Sequence, residues 1–109
     1  MIEFKNYYDV PKDFTGVCKL SYDLSICYFQ DRTYHREDGP AIIESNGKEY
    51  WFINGKRHRE DGAAIIYKSG YKEFWYKNKC YGTNNSFNIK TWKKKVKELK
   101  YLESLEIFK

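Results

Sequence analysis

His35-Arg36-Glu37-Asp38-Gly39-Pro40-Ala41-Ile42-Ile43 returns as His58-Arg59-Glu60-Asp61-Gly62-Ala63-Ala64-Ile65-Ile66, 23 residues further along the chain. A copy at a fixed short offset marks a repeat architecture, in which each unit is a small supersecondary element that buries its apolar side by stacking on its neighbours. The match continues from Asn46-Gly47-Lys48-Glu49-Tyr50-Trp51-Phe52 to Ser69-Gly70-Tyr71-Lys72-Glu73-Phe74-Trp75-Tyr76, where one extra residue moves the offset to 24 and sets Trp51 against Trp75. Asn54-Gly55-Lys56 then has a decayed counterpart in Asn78-Lys79-Cys80. Running backwards, Gly16-Val17-Cys18-Lys19-Leu20 and Ile26-Cys27-Tyr28-Phe29 fall onto Gly39 to Ile43 and Glu49 to Phe52. The chain therefore holds three units, the first degenerate.

Each unit reads as a β-hairpin: an apolar run, a turn at Tyr22-Asp23, Asn46-Gly47 or Ser69-Gly70, and a second run of β-favouring aromatics. Asn46-Gly47 is expected to be a two-residue type I′ loop, because both of its residues tolerate positive φ. The Glu-Asp-Gly connections at 37–39 and 60–62 are expected to place Gly39 and Gly62 in the left-handed region. The fold class that follows is mainly β, an antiparallel meander of three tandem hairpins. Residues 1–13 are an N-terminal segment, 14–83 the repeats and 84–109 a basic C-terminal helix, all within one domain.

Trp51, Asn54, Gly55, His58, Arg59, Gly62 and Ala64, with His35, Arg36, Gly39, Pro40 and Ala41 before them, match the pattern W-x-x-N-G-x-x-H-R-x-x-G-P-A. On these residues the chain resembles the MORN-like repeat family over roughly residues 14–82. It departs from the pattern at Ala63 and at Lys79-Cys80-Tyr81. The resemblance implies a binding scaffold without shared catalytic chemistry, of a kind common in phage and giant-virus proteins. It further implies a phage or viral accessory protein that inhibits a host defence protein in the host cytoplasm.

Register decides which side chains share a face. A two-residue loop at Asn46-Gly47 sets Ile43 opposite Tyr50 and Ile42 opposite Trp51. One face then collects Cys18, Leu20, Cys27, Phe29, Ala41, Ile43, Tyr50, Phe52, Ala64, Ile66, Phe74 and Tyr76, with no charge among them. The other collects Tyr28, Ile42, Trp51, Ile65, Tyr67 and Trp75 among charged neighbours. An uncharged sheet face must be covered, and the C-terminal segment supplies the cover, since Ile89, Trp92, Val96 and Leu99 fall on one helical stripe. Ser86 or Asn88 is the expected cap. That leaves Tyr28, Ile42, Trp51, Ile65, Tyr67 and Trp75 as a partner-binding surface, Trp and Tyr being the residues that dominate interface hot spots. Two structural alternatives stand beside it: the rings stack on one another as cross-strand ladders, or the N-terminal Phe4, Tyr7, Tyr8 and Val10 fold over them.

Net charge is +5, and its placement matters more than its size. Residues 1–89 carry thirteen Lys and Arg against twelve Asp and Glu, whereas residues 90–100 carry six Lys against one Glu. Lys93, Lys94, Lys95 and Lys97 are therefore the alternative site, contacting nucleic-acid phosphates, although the absence of Arg there weakens base readout. No apolar stretch is long enough to span a bilayer and none reads as a signal peptide, so a cytoplasmic protein without a membrane role is expected. Cys18, Cys27 and Cys80 form no CxxC pair and read as free, mostly buried thiols. Open sheet edges make both a monomer and a homodimer compatible with the pattern.

The repeated His-Arg-Glu-Asp also admits a metal-dependent hydrolase built from His35, Asp38, His58 and Asp61. Chemistry usually breaks symmetry, however, and the same set in successive units is more simply a turn whose acids bond their own backbone. The sequence reading is of a non-enzymatic module without cofactor or metal that binds a protein partner.

Overall fold

The computed structural model describes residues 1–106; residues 107–109 of the expected C-terminal segment lie outside the described residues. The strands are β1 (Ile2–Phe4), β2 (Gly16–Leu20), β3 (Ser25–Gln30), β4 (Thr33–Tyr34), β5 (Ile42–Ile43), β6 (Glu49–Tyr50), β7 (Phe52–Ile53), β8 (Lys56–Arg57), β9 (Ile65–Ile66), β10 (Lys72–Tyr76) and β11 (Lys79–Thr83), followed by helix α1 (Ile89–Glu106). The main sheet runs β1-β2-β3-β5-β6-β9-β10-β11, with β4 folded back on β3, and β7 and β8 form a separate hairpin. All pairings are antiparallel except β1 with β2. The mainly β hairpin meander with a C-terminal helix is thus the observed fold.

The repeat is stricter in the backbone than in the side chains. Three two-residue loops with both φ angles positive close the hairpins at Asp31-Arg32, Asn54-Gly55 and Lys77-Asn78, spaced 23 and 23. Arg36 N–H donates to Phe52 O and Arg59 N–H to Trp75 O; Ala41 N–H donates to Tyr50 O and Ala64 N–H to Glu73 O. Every one of these bonds recurs at 23. The offset of 24 is therefore corrected: Trp75 occupies the place of Phe52 and Phe29, and Phe74 the place of Trp51 and Tyr28.

The expected two-residue loop at Asn46-Gly47 is also corrected. Glu44 N–H donates to Lys48 O and Gly47 N–H to Glu44 O, so three residues, Ser45 to Gly47, span the turn, with Gly47 at φ 91°. Ile42 consequently pairs with Tyr50 and Ile43 with Glu49. A β-bulge follows, in which Ala41 and Ile42 both oppose Tyr50, and it recurs with Ala64 and Ile65 opposite Glu73.

Residues paired across strands lie on one face. The row Cys27, Ile42, Tyr50, Ile65, Glu73 is continuous through the pairings, as is the row Ile26, Ile43, Glu49, Ile66, Lys72. Cys27 is buried in the N-terminal cluster with Val10, Cys18, Leu20 and Phe29. Ile66 packs in the C-terminal cluster with Phe74, Tyr76, Trp92 and Val96. The two cores therefore sit on opposite faces at opposite ends of the sheet, and the single uncharged face expected from the sequence does not exist. The N-terminal segment covers one face at its start, through Phe4, Tyr7 and Val10; α1 covers the other at its end. The alternative in which the N-terminal segment folds over the rings fails at Tyr28 and Trp51 for the same reason.

Helix α1 is placed by Trp92, which is 0 % exposed and lies against Phe74, Phe87 and Tyr81 at 5.4, 5.2 and 6.1 Å between ring centroids. Its indole N–H donates to Arg59 O at 2.8 Å. Val96 and Leu99 continue the stripe, whereas Ile89, expected on it, is 56 % exposed. Asn88 caps the start, accepting from Thr91 N–H. Lys100 to Glu60 and Lys77 to Glu103 tie the helix to the repeats.

Burial raises the Glu60 carboxyl, but its bonds to Lys100 and His58 outweigh this and hold it below the usual 4.5. A depressed carboxylate stabilises fully above its unfolded value, and the contribution fades as pH falls through the folded one. Thermal stability is expected to fall as pH drops below the usual 4.5, and to fall less steeply in Glu60→Gln. Equal slopes in melts of the two proteins would refute it.

Candidate functional site

The helix-side face is only partly covered. Ile26, Tyr28, Ile43 and Trp51 belong to neither buried cluster and are half-buried, with Ile66 at the edge of the helix footprint. In the first two repeats the ring carries a cation: the Arg36 guanidinium lies 4.0 Å from the Tyr28 centroid and that of Arg59 3.7 Å from Trp51. In the third repeat no arginine follows, and Trp92 covers Phe74 instead. The helix is therefore a cap that ends the array with a ring where the array itself would place a guanidinium.

The His-Arg-Glu-Asp segments make these clamps. His35 Nδ1 accepts from Asn54 N–H and His58 Nδ1 from Lys77 N–H, each at 2.9 Å, so each imidazole ties one repeat to the next. Arg36 Nε donates to Asp38 and Nη1 to Pro40 O; Arg59 repeats this with Asp61 and Ala63 O. The bond from Arg59 holds the Asp61 carboxyl below its usual range, as that from Arg36 does for Asp38. Among the described residues no group of three His, Cys, Asp or Glu is placed to hold a metal ion.

Gly39 and Gly62 are not left-handed; the positive-φ glycines are Gly16, Gly47, Gly55 and Gly70. What glycine supplies at 39 and 62 is room, since a Cβ would stand 2.6 Å from the Arg36 guanidinium carbon and 2.9 Å from that of Arg59. Gly62→Ala is expected to push Arg59 off Trp51 and destabilise by about 1–3 kcal/mol, the scale of overpacking. A melting temperature equal to that of the parent chain would show that the guanidinium has another berth.

The six residues expected to form one surface are divided. Tyr28 and Trp51 share the helix-side face. Ile42, Ile65, Tyr67 and Trp75 lie on the other. Ile42 packs on the N-terminal core and Ile65 is 4 % exposed. Trp75 sits beside Arg57, at 5.1 Å, and Arg57 in turn faces Phe52. The Trp75 indole and the Tyr67 hydroxyl both donate to Glu73, at 2.9 Å each. Trp75 thus closes a run of Phe29, Tyr34, Phe52 and Arg57, and most of its polar capacity is used internally.

Sequence reasoning missed which rings Arg36 and Arg59 cover. Each arginine lies eight residues after its ring, at 28 to 36 and 51 to 59, a spacing visible in the chain. It also missed the concavities on either side of Arg59. One, about 740 Å³, is lined by Arg59, Ile66, Lys72, Phe74, Phe87 and Lys90 among others. The second, about 390 Å³, adjoins Trp51 and is walled by Glu37, Glu60 and Asp61 with His58. The Trp51 Nε1 atom is closed from solvent without an acceptor.

Of the helix lysines, Lys93, Lys94 and Lys97 are exposed, while Lys95 pairs with Glu98 at 3.2 Å. Cys18 and Cys27 are free and buried and Cys80 is free and exposed; burial raises the Cys27 thiol to about 11. No helix among the described residues is long and apolar enough to cross a membrane. Comparisons of the chain with protein-family models, with curated proteins and with solved structures find no match.

Proposed function

We propose that the chain is a non-catalytic, MORN-like protein-binding module whose contact surface is the uncovered part of the helix-side face, centred on Trp51. The observation that carries this reading is the row Ile26, Tyr28, Ile43 and Trp51, large apolar side chains that the fold leaves partly in solvent although both cores lie elsewhere. Rings held flat under a guanidinium are already ordered, so a partner landing on them loses little side-chain entropy. His35 and His58 tie successive repeats together while Arg36 and Arg59 hold the Tyr28 and Trp51 rings, which supports a structural role for the repeated His-Arg pair. In a phage or viral setting such a module would act as an inhibitor of a host protein in the host cytoplasm.

The test places a photo-cross-linking residue at Tyr28 or Ile43, and in separate proteins at Tyr50 or Tyr67 on the opposite face. In cells where the chain is native, one protein is expected to cross-link from the first pair only, and to rebind the chain when made separately. Cross-links that are absent, or equal from both faces, would reject the reading.

A further inference from the structure

We infer that the groove between the third repeat and the start of α1 takes an extended protein segment bearing an apolar side chain flanked by carboxylates. This rests on the reading of the helix-side face as a protein-binding surface, and names the chemistry of what it binds. The groove has a volume of about 740 Å³, an apolar floor that includes Ile66, Phe74 and Phe87, and a rim of Arg59, Lys72 and Lys90. That volume lies in the range of sites that enclose small groups or side chains.

No acid lines the groove; of its three rim cations only Arg59 is ion-paired among the described residues, with Asp61. Four lysines elsewhere are neutralised by acids, Lys19 by Glu3, Lys77 by Glu103, Lys95 by Glu98 and Lys100 by Glu60. Other surface lysines, such as Lys93, Lys94 and Lys97, stand alone among the described residues without an apolar floor between them. Lys72 and Lys90 have no ion-pair partner among the described residues. Unmatched cations around an apolar floor attract and orient a ligand that brings both negative charge and an apolar group. Arg59 joins the groove to Trp51, so a segment seated here continues onto the proposed contact face.

A nucleic-acid strand fits less well. Phosphates would find the lysines, but single-stranded bases need an open ring to stack on; Phe74 is only 2 % exposed beneath Trp92, and the half-buried Phe87 is engaged edge-on with Trp92.

The experiment measures binding of the full chain to an array of peptides about a dozen residues long, each with a Leu or Phe among Asp and Glu, beside copies with Asn and Gln. A dye-labelled single-stranded DNA oligonucleotide is measured in parallel. Acidic peptides are expected to bind at least about tenfold more tightly than their amide copies, as one lost charge-assisted contact would cause. Lys72→Glu and Lys90→Glu should each remove that preference, while Lys97→Glu, on the helix outside the groove, leaves it intact. All three positions are exposed, so the swaps spare the fold. Equal binding of acidic and amide peptides, no binding, or indifference to Lys72→Glu and Lys90→Glu would overturn the inference. DNA binding tighter than any peptide and lost in the same two variants would overturn it in favour of a phosphate site. If the peptide experiment fails while cross-links from Tyr28 and Ile43 persist, the groove assignment falls and the face reading stands; if the cross-links also vanish, both fall.

Discussion

Trp92→Ala is expected to destabilise the fold by about 3–5 kcal/mol, the cost of deleting a fully buried large aromatic from a core that cannot collapse around the space. A hairpin array exposes an apolar end wherever it stops, and terminal units need a different cover. Here the third repeat puts Phe74 where Trp51 and Tyr28 stand, no guanidinium follows, and Trp92 lies on Phe74 instead. Its removal strips Phe74, Phe87 and Tyr81 of their common neighbour and leaves Arg59 O without the indole donor. Trp92→Phe separates the two contributions, because it keeps most of the packing and loses the hydrogen bond, a net effect of about 1 kcal/mol. Urea unfolding followed by circular dichroism measures both. Since small domains are stable by only about 5–15 kcal/mol, the alanine variant should populate unfolded or helix-detached chains at modest denaturant. A loss below about 1 kcal/mol would mean that α1 is an appendage and not a cap.

The cap was legible in the chain and the faces were not, for reasons that particular residues make plain. Trp92, Val96 and Leu99 repeat at helical spacing in a segment without Pro or Gly, and a helix buries such a stripe whatever it meets. Ile89 looked like part of it, but at the helix start it borders the open groove with Phe74 and Phe87 and stays 56 % exposed. The alternation of β2 and β3 was also legible, since Cys18, Leu20, Cys27 and Phe29 are buried and their neighbours are not.

Face assignment failed at the second and third repeats because side-chain likeness and backbone equivalence disagree there. Lys72-Glu73-Phe74-Trp75 resembles Lys48-Glu49-Tyr50-Trp51 at an offset of 24, yet hydrogen bonds see only the backbone, and they repeat at 23. The evidence for 23 was hidden in turns that carry the wrong residues. Asn54-Gly55 is a recognisable type I′ pair; Asp31-Arg32 and Lys77-Asn78 adopt the same positive φ without glycine, at a cost of about 1–2 kcal/mol per residue that the surrounding strands offset. An odd shift of one residue then moved Trp75 to the opposite face. The stacking of Arg36 on Tyr28 and of Arg59 on Trp51 escaped notice because a cation over a ring leaves no periodic trace, only a constant spacing.

The consequence is sharpest for the two tryptophans that the sequence seemed to place together. Trp51→Ala is expected to weaken partner capture by at least about thirtyfold, the equivalent of a hot-spot loss near 2 kcal/mol, while Trp75→Ala changes it by less than about threefold. Trp51 lies half-buried on the uncovered helix-side face beneath Arg59, between the acidic pocket and the cationic groove. Trp75 faces the other way, flanked by Arg57 and bonded to Glu73. Its loss costs stability through the run from Phe29 to Arg57, so the two variants should part company in opposite senses: Trp75→Ala melts earlier yet still binds, and Trp51→Ala folds yet does not. Capture of the partner identified from the Tyr28 and Ile43 cross-links, measured at a temperature where both variants are folded, decides between them. Equal loss in both would return Trp51 and Trp75 to one surface and contradict the 23-residue register. Equal retention would remove Trp51 from the contact surface, and with it the reading centred on that ring.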